Sequence, residues 1–200
     1  MTGGGAPRGG RAPSGGQIIL LNGASSAGKT TLARALQATL EQPYYLVQLD
    51  AFEDMIPGRL LTGTAVELDA LTLSARAMHG TVATLSRGGA NVIADHVFLD
   101  APGFDTWLED CVRALSDLPV LFVGVHCPVP VLERRELARG DRDVGQARWQ
   151  SSRVHGHGAY DVEVDTHASS VEACADAVRN GLDRSGGAFE ALRRRFVEPD

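Results

Sequence analysis

The sequence predicts an α/β domain, a five-stranded parallel sheet covered by helices on both faces with a small helical lid. Three observations carry this. From residue 17 onward, short apolar runs alternate with stretches of helical periodicity. The longer runs are continuously apolar, which suits strands buried on both faces. A glycine-rich segment, Gly23-Ala-Ser-Ser-Ala-Gly-Lys-Thr30, stands between the first run and the first helical stretch.

Ordered structure is expected to begin at Gln17. Ile18 to Leu21 forms the first strand and stops at Asn22-Gly23. Leu32, Leu36 and Leu40 recur on one helical face, and Pro43 marks the exit. Tyr44 to Leu49 reads as the second strand, ending on Asp50. Pro57, Gly58 and Gly63 predict a short helix and a mobile loop over 51–64. Val66 to Ser86 is a long helix ended by Gly88-Gly89, and Asn91 to Ala94 is the third strand, ending on Asp95. Trp107, Val112 and Leu115 support a helix over Phe104 to Ser116, before a fourth strand at Val120 to Val125. Pro130 opens a helix reaching Ala138 or Arg139. Gly140 to Gly145 breaks it, and Gln146 to Val154 resumes. Asp161 to Asp165 is the last strand, and Ser169 with Glu172 forms a capping box before a helix over Ala173 to Leu182. Residues 1–16, rich in Gly, Pro and Arg, read as a disordered tail, 17–184 as the domain, and 185–200 as a C-terminal tail. In that last tail, Leu192 to Val197 reads as a solvated helix end.

Bulk composition narrows the function. With 200 residues, 44% hydrophobic and 22% charged, the chain suits one domain with a proper core. A net charge of -6 argues against a nucleic-acid partner. No stretch is apolar for long enough to span a bilayer, and the N-terminus lacks the apolar segment of a signal peptide. Cys111, Cys127 and Cys174 show no paired spacing and are expected as buried thiols in a reducing cytoplasm.

Gly23 to Thr30 matches GxxxxGK[ST] in full, after a strand and before an amphipathic helix, the context of a P-loop NTPase fold. Gly23, Ala24, Ser25, Ser26, Ala27 and Gly28 would wrap the phosphates of ATP with backbone amides. Lys29 adds a point charge there, Thr30 offers its hydroxyl to Mg²⁺, and Thr31 adjoins them in the helix.

In open α/β sheets ligands bind at the carboxyl ends of the strands. Asp50 and Asp95 are both placed there by the predicted elements. A kinase needs one carboxylate near the acceptor hydroxyl and another for the metal. Asp95, after the apolar run Val92 to Ala94, fits the metal side with Thr30, leaving Asp50 as base. Helix or turn capping is the plain alternative for both. Arg135, Arg139 and Arg142, spaced four and three apart beside Gly140 and Gly145, would share one helix face as a lid over the triphosphate. The alternative is a solvated face paired with Glu133, Glu136 and Asp141. His155 and His157 lack a third metal ligand at sensible spacing, and Trp107 and Trp149 read as core or groove lining.

With these residues in view, the chain resembles the chloramphenicol phosphotransferases, small P-loop kinases that phosphorylate a primary hydroxyl of an antibiotic. The resemblance rests on Leu21 to Thr30, on Asp50 with Met55-Ile-Pro57, and on Asp95 to Leu99. It extends through Val123 to Val125, Arg135-Glu136, Ala138 to Arg142, His155 and Tyr160 to Thr166. It implies Asp50 as catalytic base, Lys29 and Thr30 on phosphates and Mg²⁺, and Arg139 and Arg142 in the lid. In this class of fold the loop after the last strand, here Thr166 to Ser170, is the expected seat of the adenine. The chain departs from the family's pattern at His96, where a second acid is usual, and over Ile56 to Met78. The expected activity is transfer of the γ-phosphoryl group of ATP to a hydroxyl of a small molecule, with chloramphenicol or another antibiotic as candidate acceptor. Other small-molecule or nucleotide-sugar kinases and a non-catalytic ATP-binding switch are the competing readings. A homo-oligomer remains compatible with the sequence.

Overall fold

The protein is described by a computed structural model covering residues 15–139, 145–183 and 187–197. Five strands build the sheet: β1 (Ile18–Asn22), β2 (Tyr44–Gln48), β3 (Asn91–His96), β4 (Val120–His126) and β5 (Val162–Asp165). All pairings are parallel, in the order β2-β3-β1-β4-β5. This is the fold expected of a P-loop kinase, with β1 central and its carboxyl end at the point where strand order reverses.

The continuous apolar runs explain the layering. In β1, Ile18 and Leu20 face one core while Ile19 and Leu21 face the other. β4 divides likewise, with Val120 and Phe122 on one side and Leu121, Val123 and Val125 on the other. The helices are α1 (Lys29–Thr39), α2 (Leu49–Glu53), α3 (Ala65–Arg87) and α4 (Trp107–Ala114), followed by α5 (Val129–Arg139), α6 (Gln146–Ser151), α7 (Val171–Leu182) and α8 (Gly187–Val197). Side chains of α3, α4 and α8 close the first core; those of α1, α5, α6 and α7 close the second.

Four expectations need correction. The cap of α7 is Ser170, whose hydroxyl accepts the Ala173 amide at 3.2 Å, so the capping signal lies one residue beyond Ser169. Asp50 does not terminate a strand but sits in the first turn of α2, because Leu49 turns inward as a buried anchor for that helix. Cys127 is half-buried, with Arg135 Nη1 3.5 Å from its sulfur, whereas Cys111 and Cys174 are buried as expected. The segment from Gly187 to Val197 is not a solvated helix end. Phe189 and Leu192 of α8 are buried in the core, with Phe189 edge-on to Phe122 at 6.3 Å. Asp161 Oδ1 accepts the Ala188 amide at 2.7 Å, and Arg193 donates to Leu118 O at 3.0 Å. Phe189→Ala should therefore cost about 3–5 kcal/mol of stability by denaturant unfolding, the scale of a buried aromatic truncation. A loss below about 0.5 kcal/mol would return α8 to the surface.

Candidate active site

β1 delivers the glycine-rich loop to the sheet's carboxyl edge, between β3 and β4. Gly23 is required there, since a Cβ would stand 2.5 Å from Val125 O. Gly28 enters α1 at φ 91°, a conformation that glycine takes without steric cost. The loop thus ends on a helix N-terminus, whose first amides have no partner within the helix.

Two side chains close the loop from within. Lys29 Nζ donates to Gly23 O at 2.9 Å and Ala24 O at 3.1 Å, and lies 3.6 Å from the Asp95 carboxylate. Thr30 Oγ1 donates to Asp95 Oδ2 at 2.9 Å and accepts from Gln48 Nε2 at 3.2 Å. Asp95 is buried within β3, in register with Leu21 and Gln48. Thr30, Asp95 and Lys29 are thereby brought together by β1 and β3, and β2 adds Gln48. The hydroxyl and carboxylate oxygens form a hard donor pair of the kind that Mg²⁺ accepts.

On the far side, the Arg135 guanidinium donates to Thr166 Oγ1 and to Thr166 O, each at 3.1 Å. Thr166 Oγ1 donates in turn to Ala27 O at 2.7 Å. Arg135 is thus held against the loop. α5 ends at Arg139; the Arg139 side chain and Arg142 lie outside the described residues, so the three-arginine alignment does too.

A cavity of about 700 Å³ joins these groups, within the roughly 300–1,000 Å³ of small-molecule sites. One part is lined by Ser25 to Leu32, Arg135, Thr166, Val171 and Cys174. The other has an apolar wall of Leu49, Leu71, Val97, Leu99, Phe104, Trp107 and Trp149, with Asp50, Glu53 and Glu67 among the polar groups. Trp107 is buried with its indole N–H on Thr72 Oγ1 at 3.1 Å, while Trp149 is 41% exposed. Both tryptophans line the cavity, as groove walls.

Sequence reasoning missed several supports. Gln48 and Gln150 belong to no motif, yet one meets Thr30 and the other accepts the Ser25 amide at 2.6 Å. Asn22 is a buried hub: Nδ2 donates to Val154 O and Tyr160 Oη, both at 2.8 Å, and Oδ1 accepts the Phe98 amide at 2.8 Å. His155 and His157 join this hub through Tyr160 Oη, at 2.5 and 3.0 Å. Among the described residues, no group of three His, Cys, Asp or Glu side chains could hold a metal by itself.

His96, beside Asp95, is buried with its Nε2 2.9 Å from that of His79 and its ring stacked on Phe98 at 3.9 Å. Burial holds both imidazoles neutral, pushing His79 down to about 4 and His96 well below the usual histidine range. The unfolded chain binds protons at these sites near pH 6.5, the folded chain only further down. Their contribution to stability is therefore complete above pH 6.5 and is lost as pH falls from there toward 4. Each uncompensated proton steepens the loss by about 1.4 kcal/mol per pH unit. His79→Leu with His96→Phe should flatten the stability curve over pH 4–6.5 in denaturant titrations; an unchanged slope would place the acid sensitivity elsewhere.

Known proteins resemble the chain in sequence and in fold. A family model described as chloramphenicol phosphotransferase-like protein matches residues 16–183. A Mycobacterium tuberculosis relative named "Putative O-phosphotransferase Rv2636" is 32% identical, over 91% of this chain and 90% of its own. The structure is similar to that of the M. tuberculosis APS kinase CysC in complex with AMPPNP and APS, with a TM-score of 0.66 and 16% identity, covering 86% of this chain and 99% of that one. It is also similar to a gluconokinase from Sinorhizobium meliloti, with a TM-score of 0.58 and 19% identity, covering 92% and 99%.

Proposed function

The chain belongs to the chloramphenicol phosphotransferase-like family and is a P-loop phosphotransferase acting on a small molecule; we propose that its acceptor is chloramphenicol or a similarly compact hydroxylated antibiotic, phosphorylated by ATP. The observation that carries this is the single cavity running from the Lys29–Thr30–Asp95 cluster to a wall of Leu71, Phe104, Trp107 and Trp149. An apolar, aromatic wall suits a compact acceptor with an aromatic or aliphatic body.

In this reading the amides of the loop from Gly23 to Gly28, apart from that of Ser25, and the α1 N-terminus hold the triphosphate, with Thr31 beside them. Lys29 neutralises charge on the β- and γ-phosphates. Thr30 and Asp95 would hold Mg²⁺, which supplies further charge neutralisation when bound. Asp50, on the cavity wall at the start of α2, orients the acceptor hydroxyl and takes its proton. Arg135 fixes the nucleotide side of the loop through Thr166, next to the proposed adenine segment. Arg139 and Arg142 serve the transferring phosphoryl group as cations. No helix of the described residues is long and apolar enough to cross a membrane, and a cytoplasmic location is part of the proposal.

The test is a panel of hydroxylated antibiotics incubated with ATP and Mg²⁺, read by mass for a phosphate ester and by acceptor-dependent ADP release. Chloramphenicol should gain one phosphate, and expression should raise the resistance of a sensitive bacterium. Transfer to a different compound with chloramphenicol untouched would reject the acceptor and keep the kinase.

A further inference from the structure

The bend of the phosphate loop is held from outside at three consecutive residues. Ala27 O accepts from Thr166 Oγ1 at 2.7 Å, Ser26 O faces Arg135 Nη1 at 3.4 Å, and the Ser25 amide donates to Gln150 Oε1 at 2.6 Å. Ser26 sits between them at φ 62°, the sole non-glycine residue with positive φ among the described residues. A serine persists in that conformation only where its surroundings over-determine it. Of the three contacts, the one from Gln150 is the shortest, and it comes from a buried side chain that is 6% exposed.

Gln150 is also placed to sense the other end of the cavity. Its neighbour on α6, Trp149, stands on the acceptor wall with its ring 6.1 Å from that of Phe104 and the Arg153 guanidinium 4.9 Å above it. The start of α6 is pinned by buried Glu136, whose carboxylate accepts the Gly145 amide at 2.8 Å and the Ala147 amide at 2.7 Å. A short helix with a fixed start thus presents one side chain to the acceptor and the next to the phosphate loop.

We propose that Gln150 is a positioning residue for phosphoryl transfer, holding the Ser26 turn through the Ser25 amide and coupling the acceptor wall to the phosphate loop. The proposal rests on the kinase reading above. Because the Ser25 amide is committed to Gln150, the loop keeps its bend before nucleotide arrives. Without that bond, Ser25 and Ser26 can relax from the strained turn, and the γ-phosphoryl group is no longer held in line with the acceptor.

Two substitutions separate positioning from packing. Gln150→Leu keeps the bulk and removes the acceptor oxygen. Gln150→Glu keeps an oxygen for the Ser25 amide but brings a negative charge to the triphosphate. Binding of Mg²⁺–ADP is followed by calorimetry. Turnover is read as ADP release, with chloramphenicol as probe acceptor and, separately, with water as the acceptor. Gln150→Leu should lower turnover roughly 10²-fold, the scale of an ångström-sized misplacement, while nucleotide affinity changes little. Gln150→Glu should recover most of kcat and raise KM for ATP through charge repulsion. If Gln150→Leu turns over like the wild type, or if both variants lose kcat and thermal stability together, Gln150 is packing alone and the proposal falls. A wild-type protein that binds no nucleotide would instead sink the kinase reading itself.

Discussion

Lys29→Ala should abolish phosphoryl transfer, by 10²-fold or more in kcat, and leave the fold intact. The magnitude follows from removing one preorganised electrostatic stabiliser of the transferring phosphoryl group. Lys29 is well placed for this role. Its ammonium bridges Gly23 O, Ala24 O and Asp95, so it is held at the loop before any phosphate binds. It belongs to neither hydrophobic core, and Asp95 keeps the Thr30 hydroxyl as a partner once Lys29 is gone. ADP release would report the loss, and near-ultraviolet circular dichroism and Tm would report the retained fold. Wild-type turnover in this variant, with any acceptor, would remove the P-loop mechanism.

Asp50→Asn should cut kcat roughly 10²-fold, at the lower end of the range for a general base, and spare ATP affinity. Asp95→Asn should act differently, weakening the Mg²⁺ dependence of both binding and turnover. The two carboxylates occupy different surroundings. Asp95 is buried in β3 against Thr30 and Lys29, whereas Asp50 lies exposed on α2 at the apolar wall. Phosphoryl transfer through a loose transition state leaves little proton abstraction to accelerate, so much of the Asp50 effect is orientation of the acceptor hydroxyl. Rate profiles against pH would separate the two contributions: loss of an acidic limb in Asp50→Asn marks proton transfer, and a parallel lowered profile marks orientation. Normal turnover by Asp50→Asn, beside an inactive Asp95→Asn that still binds metal, would exchange the assignments.

The parts legible in the sequence were those with a short-range signature. The runs Ile18 to Leu21, Val92 to Ala94 and Val120 to Val125 announce strands covered on both faces. The spacing of Gly23, Gly28, Lys29 and Thr30 announces the loop. Asp95 could be placed beside Thr30 because β1 and β3 both deliver their ends to one edge. What stayed hidden depends on contacts between distant segments. Gln150 reaches Ser25 across 125 positions and Asn22 reaches Val154 across 132, and neither side chain carries a pattern that names its partner. The α8 helix was hidden for a related reason. Its two buried residues, Phe189 and Leu192, lie just before a run of three arginines, and it is Phe122, Asp161 and Leu118 that reveal where it docks.

The central position of β1 has a consequence for how the chain reaches its native state. Ile18 pairs with Val92 on one side and Val120 on the other, so no hydrogen bond of this strand to its neighbours is local. During synthesis the apolar run of β1 emerges first, yet its two flanking strands complete only with His96 and His126. A parallel sheet of this kind has a high proportion of sequence-distant contacts, and such contacts must overcome loop-closure entropy before they return any stability. The nascent chain therefore carries the apolar run Ile18 to Leu21 of its future centre without a partner until β3 completes at His96, and without its second neighbour until β4 completes at His126. The segment that makes the phosphate loop possible is also the one with the longest exposure to aggregation, so yield on expression should be governed by how β1 is shielded until β4 arrives.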